Sequence, residues 1–134
     1  FANNATLAGH VEVGDWAILG GLAAVHQWSR IGCHSFIGGL AAVTRDLLPF
    51  GMAVGNRANL EGINLIGMRR RNFSKSEIDE VKKVYSILFN ANDLEFKNKI
   101  NKLKEEKFSS DPAKIITDFV NVETNRAYVS PTEI

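Results

Sequence analysis

Cysteine is nearly absent: Cys33 is the single one in 134 residues, which excludes an internal disulfide and fits a reducing compartment. Proline is scarce, and none occurs before Pro49. No apolar run reaches the roughly 18–20 residues that a bilayer-crossing helix requires. The opening FANNATLAGH has neither the basic n-region nor the long apolar h-region of a signal peptide. An excess of charge is missing too: the net value is +1, so bulk nucleic-acid binding is not expected and any basic site must be local. Charge is thinnest at the start, where residues 1–48 hold only Glu12, Asp15, Arg30, Arg45 and Asp46. Residue 1 is Phe and already stands inside a repeat, so a fragment with further upstream coils is expected.

What those first residues do contain is a rhythm. An apolar side chain returns every six positions, at Phe1, Leu7, Val13, Leu19, Val25, Ile31, Ile37 and Val43. The position after each is Ala2, Ala8, Gly14, Gly20, His26, Gly32, Gly38 and Thr44. Two residues before each apolar position stand Ala5, Val11, Ala17, Ala23, Ser29, Ser35 and Ala41, nearly all small. Residues two apart on a strand share a face, so the small and the large side chain both point inward. The small residues just beyond suit sharp corners, where glycine is the most tolerant residue. An amphipathic helix is excluded, because glycines such as Gly14, Gly20 and Gly32 would each cost about 1 kcal/mol in its interior. Short flat sides joined by corners predict a parallel β-helix with coils about 4.8 Å apart. A three-sided coil uses eighteen residues, so one coil of stacking brings His26 near His10. His26 also breaks the small-residue column, and such violations concentrate at functional sites.

The rhythm stops at DLLPFGMAVGN (46–56), which reads as a loop or a last irregular coil. A short helix is expected near Asn64–Arg71. SKSE at 74–77 has capping-box spacing, followed by a helical face of Ile78, Val81, Val84, Tyr85, Leu88 and Phe89. Asn92 or Asp93 is expected to cap a second helix with Leu94, Phe96, Ile100 and Leu103. Asp111-Pro112 opens a third, with Ile115, Ile116, Phe119 and Val120 inward. The tail NRAYVSPTEI reads as irregular. The expected division is β-helix coils over 1–56 and an α-helical domain over 57–134.

The runs ANNATLAGHVEVGDWAILGGLAAVHQWSRIG and GNRANLEGINLIGMRRRNFS resemble the C-terminal half of the UDP-N-acetylglucosamine O-acyltransferases, the family of the first step of lipid A synthesis. The most specific parts are AVHQ and the GxNxxGxxRRxF pattern from Gly62 to Phe73. The resemblance extends to about Arg126. It implies a left-handed parallel β-helix followed by an α-helical domain, assembled as a cytoplasmic homotrimer. It also implies transfer of a 3-hydroxyacyl chain from acyl carrier protein to the 3-hydroxyl of UDP-N-acetylglucosamine, without metal or cofactor. In that family the general-base histidine lies in an HDC-type segment about one coil before the match to His10. No such segment occurs here, so no catalytic residue is assigned and the chain alone is expected to be inactive. The resemblance places substrate contacts at His10, His26, Gln27, Asn64, Arg70 and Arg71, the arginines suiting phosphate. It puts the end of the acyl groove at Gly39. Lys82 and Lys83 are expected to add a basic face for the acidic carrier, and His34 is expected to be structural.

Some residues depart from the family pattern. Ile66 stands where some relatives carry a glutamate that contacts the nucleotide. Asn72 replaces a glycine, Trp28 a phenylalanine, and Arg126-Ala127 an Arg-Gly pair. Three other readings compete: another hexapeptide acyltransferase such as the related glucosamine N-acyltransferase, a γ-class carbonic anhydrase, and a non-catalytic trimeric module that binds acyl carrier protein. The GINLIGMRRRNF stretch and the helical tail argue against the first. The absence of a supporting motif around His10, His26 and His34 argues against the second.

Overall fold

A computed structural model describes residues 1–90, 95–122 and 124–131. Seven two-residue strands open it: β1 (Thr6–Leu7), β2 (Glu12–Val13), β3 (Ile18–Leu19), β4 (Ala24–Val25), β5 (Arg30–Ile31), β6 (Phe36–Ile37) and β7 (Ala42–Val43). They pair in parallel eighteen residues apart, Thr6 with Ala24, Glu12 with Arg30, Ile18 with Phe36 and Ala24 with Ala42. Strands β1-β4-β7, β2-β5 and β3-β6 thus form three faces of a triangular prism. The inward pairs fill its axis: Ala23 and Val25, Ser29 and Ile31, Ser35 and Ile37, and Ala41 and Val43 are all at most 3% exposed. Phe1, at the same repeat position, is 69% exposed.

The corners differ from the expectation about glycine. The left-handed backbone conformation recurs at Asn4, His10, Trp16, Leu22, Trp28, His34 and Leu40, none of them glycine. The glycines after the strands serve clearance instead. A Cβ on Gly14 would lie 2.5 Å from the Cys33 nitrogen, and one on Gly20 would lie 2.5 Å from the Gly39 nitrogen. Backbones stacked this closely leave no volume for a methyl group.

The third coil is shorter. Leu47 bridges Ile31, and Met52 pairs with Phe36, each sixteen residues on. Strand β8 (Gly51–Val54) therefore continues the β3-β6 face within the stretch expected to be loop or irregular coil, and β9 (Asn59–Ile63) folds back antiparallel on it. The helices follow: α1 (Leu65–Arg70), α2 (Lys75–Phe89), α3 (Phe96–Glu105) and α4 (Asp111–Val120). Ser74 and Glu77 form the expected capping box of α2. Ile78, Val81, Val84, Tyr85 and Leu88 are buried, and the Tyr85 hydroxyl donates to the Pro49 carbonyl at 2.7 Å, joining α2 to the prism. The expected cap at Asn92 or Asp93, and Leu94, lie outside the described residues; α3 begins after Glu95 without a side-chain cap. In α4, Ile116 and Val120 face inward, but Ile115 is 39% exposed. Ala113, Ile116 and Val120, three and four positions apart, define the buried face, and Ile115 lies about 100° around the helix from Ile116.

The tail was expected to be irregular, yet it is anchored. Asp46 donates its N–H to the Ala127 carbonyl and accepts from the Val129 N–H, while Leu60 donates to Ser130. No described helix is long and apolar enough to cross a membrane.

Candidate functional site

Three corners connect the faces of the prism. The first holds residues 8–11, 26–29 and 44–46, the second 14–17, 32–35 and 48–50, and the third 20–23 and 38–41. The residues singled out from the sequence divide among them.

His10, His26 and Gln27 share the first corner, all exposed. Trp28 stands one coil beyond His10, and their rings stack with centroids 4.0 Å apart and planes 6° from parallel. Both carry positive φ, 58° and 69°, so the side chains leave the prism in the same direction. Gln27 lies over Gly9, where an added Cβ would meet its Nε2 at an ordinary 3.7 Å. A cleft beside the stack is lined by His10, Glu12, Trp28, Arg30, Thr124 and Arg126.

Beneath this surface lies a charged cluster that sequence reasoning passed over. Asp46 is fully buried. Its carboxylate accepts from Arg30 Nε at 2.8 Å, from the Arg30 backbone N–H at 3.0 Å and from Arg126 Nε at 2.8 Å. Arg30 also lies 4.1 Å from the Phe119 ring centroid and donates to the Phe119 carbonyl. The hint in the sequence was the clustering of Arg30, Arg45 and Asp46 in a stretch otherwise almost free of charge.

The second corner receives the GxNxxGxxRRxF segment, and most of its pattern is explained by the fold. Gly62 has φ +122°, a backbone region favoured by glycine. Asn64 caps α1: its Oδ1 accepts from the Gly67 N–H at 3.2 Å, while its Nδ2 donates to the His34 carbonyl at 3.0 Å. A side chain on Gly67 would collide with that folded-back amide. Phe73 meets His34 edge-on, and His34 stacks on Phe50 with centroids 5.3 Å apart. Burial, reinforced by the nearby Arg71 charge, lowers the pKa of His34. Asn64 is 8% exposed, whereas Arg70 and Arg71 are exposed. The Arg71 guanidinium lies over the Trp16 ring, 3.3 Å from its centroid, a cation–π contact between α1 and the second corner.

Gly39 is exposed at the third corner, beside Leu22 and Leu40, which are 57% and 64% exposed. A Cβ on Gly39 would sit 3.2 Å from the Gly21 carbonyl oxygen. The structure therefore brings His10, His26 and Gln27 together but sets Asn64, Arg70 and Arg71 at another corner and Gly39 at a third. Trp16, Trp28, Leu22 and Leu40 were not singled out as site residues. Aligning the chain at an eighteen-residue period pairs His10 with Trp28, Trp16 with His34 and Leu22 with Leu40, which is the signal that finds them. Among the described residues there is no metal-binding group of His, Cys, Asp and Glu.

Residues 46–129 match the family described as UDP-N-acetylglucosamine O-acyltransferase, domain 2. The acyl-[acyl-carrier-protein]–UDP-N-acetylglucosamine O-acyltransferase of Burkholderia thailandensis is 46% identical over 122 residues, 89% of this chain and 47% of the relative. Among solved structures, the UDP-N-acetylglucosamine acyltransferase from Campylobacter jejuni is similar with a TM-score of 0.83 at 36% identity, over 98% of this chain and 50% of that one. The Arabidopsis enzyme has a TM-score of 0.86 at 31% identity, over 95% and 46%. The chain spans about half the length of the relatives it matches. Its fold class is the left-handed parallel β-helix followed by α-helices, and the chain belongs to the UDP-N-acetylglucosamine O-acyltransferase family.

Proposed function

We propose that this chain forms part of an acyltransferase that moves a 3-hydroxyacyl chain from acyl carrier protein to the 3-hydroxyl of UDP-N-acetylglucosamine, the first step of lipid A synthesis, in the cytoplasm. The observation that carries this reading is the first corner, where the AVHQ turn lies one coil from His10 and a ring stack joins the two turns. In this reading His10, His26 and Gln27 contact the sugar nucleotide. Arg70 and Arg71 hold its phosphates or the carrier's phosphopantetheine through charge-assisted bonds. Asn64 contributes mainly by starting the helix that carries them, since both ends of its amide are engaged within the fold. Gly39 bounds the acyl groove.

These groups sit at different corners of one prism, so a cleft that uses all of them is built between copies, in keeping with a homotrimer. The division of labour is coils over 1–56 and an α-helical domain over 57–134 that opens with β9 folded back on the coils, with Lys82 and Lys83 of α2 offered to the acidic carrier. In the reaction the sugar hydroxyl attacks the thioester carbon, a C–O bond forms and the C–S bond breaks. The hydroxyl proton passes to a histidine base and on to the departing thiolate. None of His10, His26 and His34 takes that base role, so this chain's share is binding and orientation.

Calorimetric titration with UDP-N-acetylglucosamine tests the reading. Binding is expected, weakened about tenfold or more by His10→Ala and by His26→Ala, as loss of a charge-assisted or buried hydrogen bond would give. No binding by the assembled chain would favour a non-catalytic module that recruits the carrier.

A further inference from the structure

The coils are tied together at their corners by a repeated rung. The residue with positive φ donates its N–H to a carbonyl nineteen residues earlier: Leu22 to Asn3, Trp28 to Gly9, His34 to Asp15 and Leu40 to Gly21. Phe50 donates to Cys33 across the shortened coil. In this column of carbonyls the next member is Gln27, and among the described residues no backbone N–H donates to it: the shortened coil puts Asp46 in register with Arg30, where its N–H donates to the Ala127 carbonyl. The missing residues of the third coil have removed a rung beneath the one turn that carries His26 and Gln27.

A side chain occupies its place. Arg126 Nη1 donates to the Gln27 carbonyl at 3.4 Å, and Nη2 donates to Ser29 Oγ at 2.7 Å and to the Thr44 carbonyl at 3.2 Å. Nε is bound to the buried carboxylate of Asp46 at 2.8 Å. One guanidinium thus spans the second and third coils with its fork of donors fixed by a charge.

We infer that Arg126 is a positioning residue for the His10–His26–Gln27–Trp28 corner, supplying the rung that the shortened coil lacks. Through it the C-terminal tail sets the affinity of that corner for its ligand. The role in ligand affinity rests on the reading of the corner as a sugar-nucleotide site; the role in holding the corner does not. Arg126 is separable from the stability of the cluster, because Asp46 retains two bonds from Arg30 without it.

The test compares the chain with R126Q, R126K and S29A, the last deleting one acceptor of the guanidinium without touching the ion pair. The chain has three histidines, so the imidazole proton resonances are few. Those of His10 are expected to be displaced by the ring current of Trp28, stacked at 4.0 Å. R126Q is expected to abolish most of that displacement and to weaken UDP-N-acetylglucosamine binding about tenfold in protein that remains folded. S29A is expected to do the same more weakly. R126K, which keeps the charge but not the fork, should resemble R126Q. His10 resonances and affinity both unchanged in folded R126Q, or full rescue by R126K, would overturn the inference. If the parent chain binds no sugar nucleotide, the functional reading fails, and the His10 resonances alone decide whether Arg126 holds the corner.

Discussion

Glycines at different positions of the six-residue repeat meet different surroundings. Gly14 faces the backbone of the next coil, with Cys33 nitrogen 2.5 Å from where a Cβ would stand, whereas Gly9 faces only the Gln27 side chain at 3.7 Å. Gly14→Ala should lower stability by about 1–3 kcal/mol, the range for overpacking a rigid site, and Gly9→Ala should stay within about 0.5 kcal/mol. Denaturant unfolding of both checks this, and equal losses would refute the clearance argument. The repeat position that does adopt positive φ carries bulky residues instead. A left-handed conformation costs such a residue roughly 1–2 kcal/mol, and asparagine tolerates it better. Leu40 has φ +63° and is 64% exposed, so Leu40→Asn should raise protomer stability by about 0.5–1 kcal/mol. Unfolding under monomeric conditions measures it, and a loss would mean that Leu40 is held by contacts in the protomer. The six-residue spacing made the corner columns visible, but it did not say which member of the corner turns left-handed. That is settled by how the backbones stack.

At the scale of elements, the helical part shows how local signals and long-range contacts divide the work. The Ser74–Glu77 capping box and the apolar stripe of α2 are encoded within a few turns. The joint between α2 and α4 is not. There the Glu80 carboxylate accepts from the N–H and hydroxyl of Ser109 and from the N–H of Ser110, the residue that caps α4. Hydrogen bonds from Ser110 and then Ser109 lead in lowering its pKa to about 2. A carboxylate held below its unfolded value stabilises the fold fully above that value. Its contribution is lost as pH falls from about 4.5 to about 2. Glu80→Gln should flatten this acid limb of a thermal-stability profile while leaving other limbs in place. An unaltered profile would show that Glu80 has no part in it.

Across the whole molecule, Asp46 is where prism, helices and tail meet. It bonds Arg30 of the second coil and Arg126 of the tail, while Arg30 reaches Phe119 of α4 and the Tyr128 hydroxyl. Asp46→Asn removes a fully buried carboxylate and leaves the two partly exposed guanidinium groups of Arg30 and Arg126 without their shared anion. A loss of about 3–5 kcal/mol is expected, the range for breaking a buried pair. It should appear as one cooperative transition at lower denaturant, because the cluster joins all the layers. A two-step transition would show that the prism and the helices unfold independently.

The sequence by itself determined the prism and the amphipathic helices, because six-residue and helical periodicities are local patterns that each element satisfies from its own residues. It also marked His26, which breaks the small-residue column, and by family resemblance the AVHQ and GxNxxGxxRRxF segments. The eighteen-residue coil also put His26 beside His10, but only the tertiary structure decided that Asn64, Arg70 and Arg71 lie at another corner, that Trp28 stacks on His10, and that Asn64 is engaged within the fold. The same holds for Asp46, Arg30 and Arg126. Asp46 and Arg126 are bonded although they stand eighty positions apart, and no periodicity reports a contact whose partners lie in different elements.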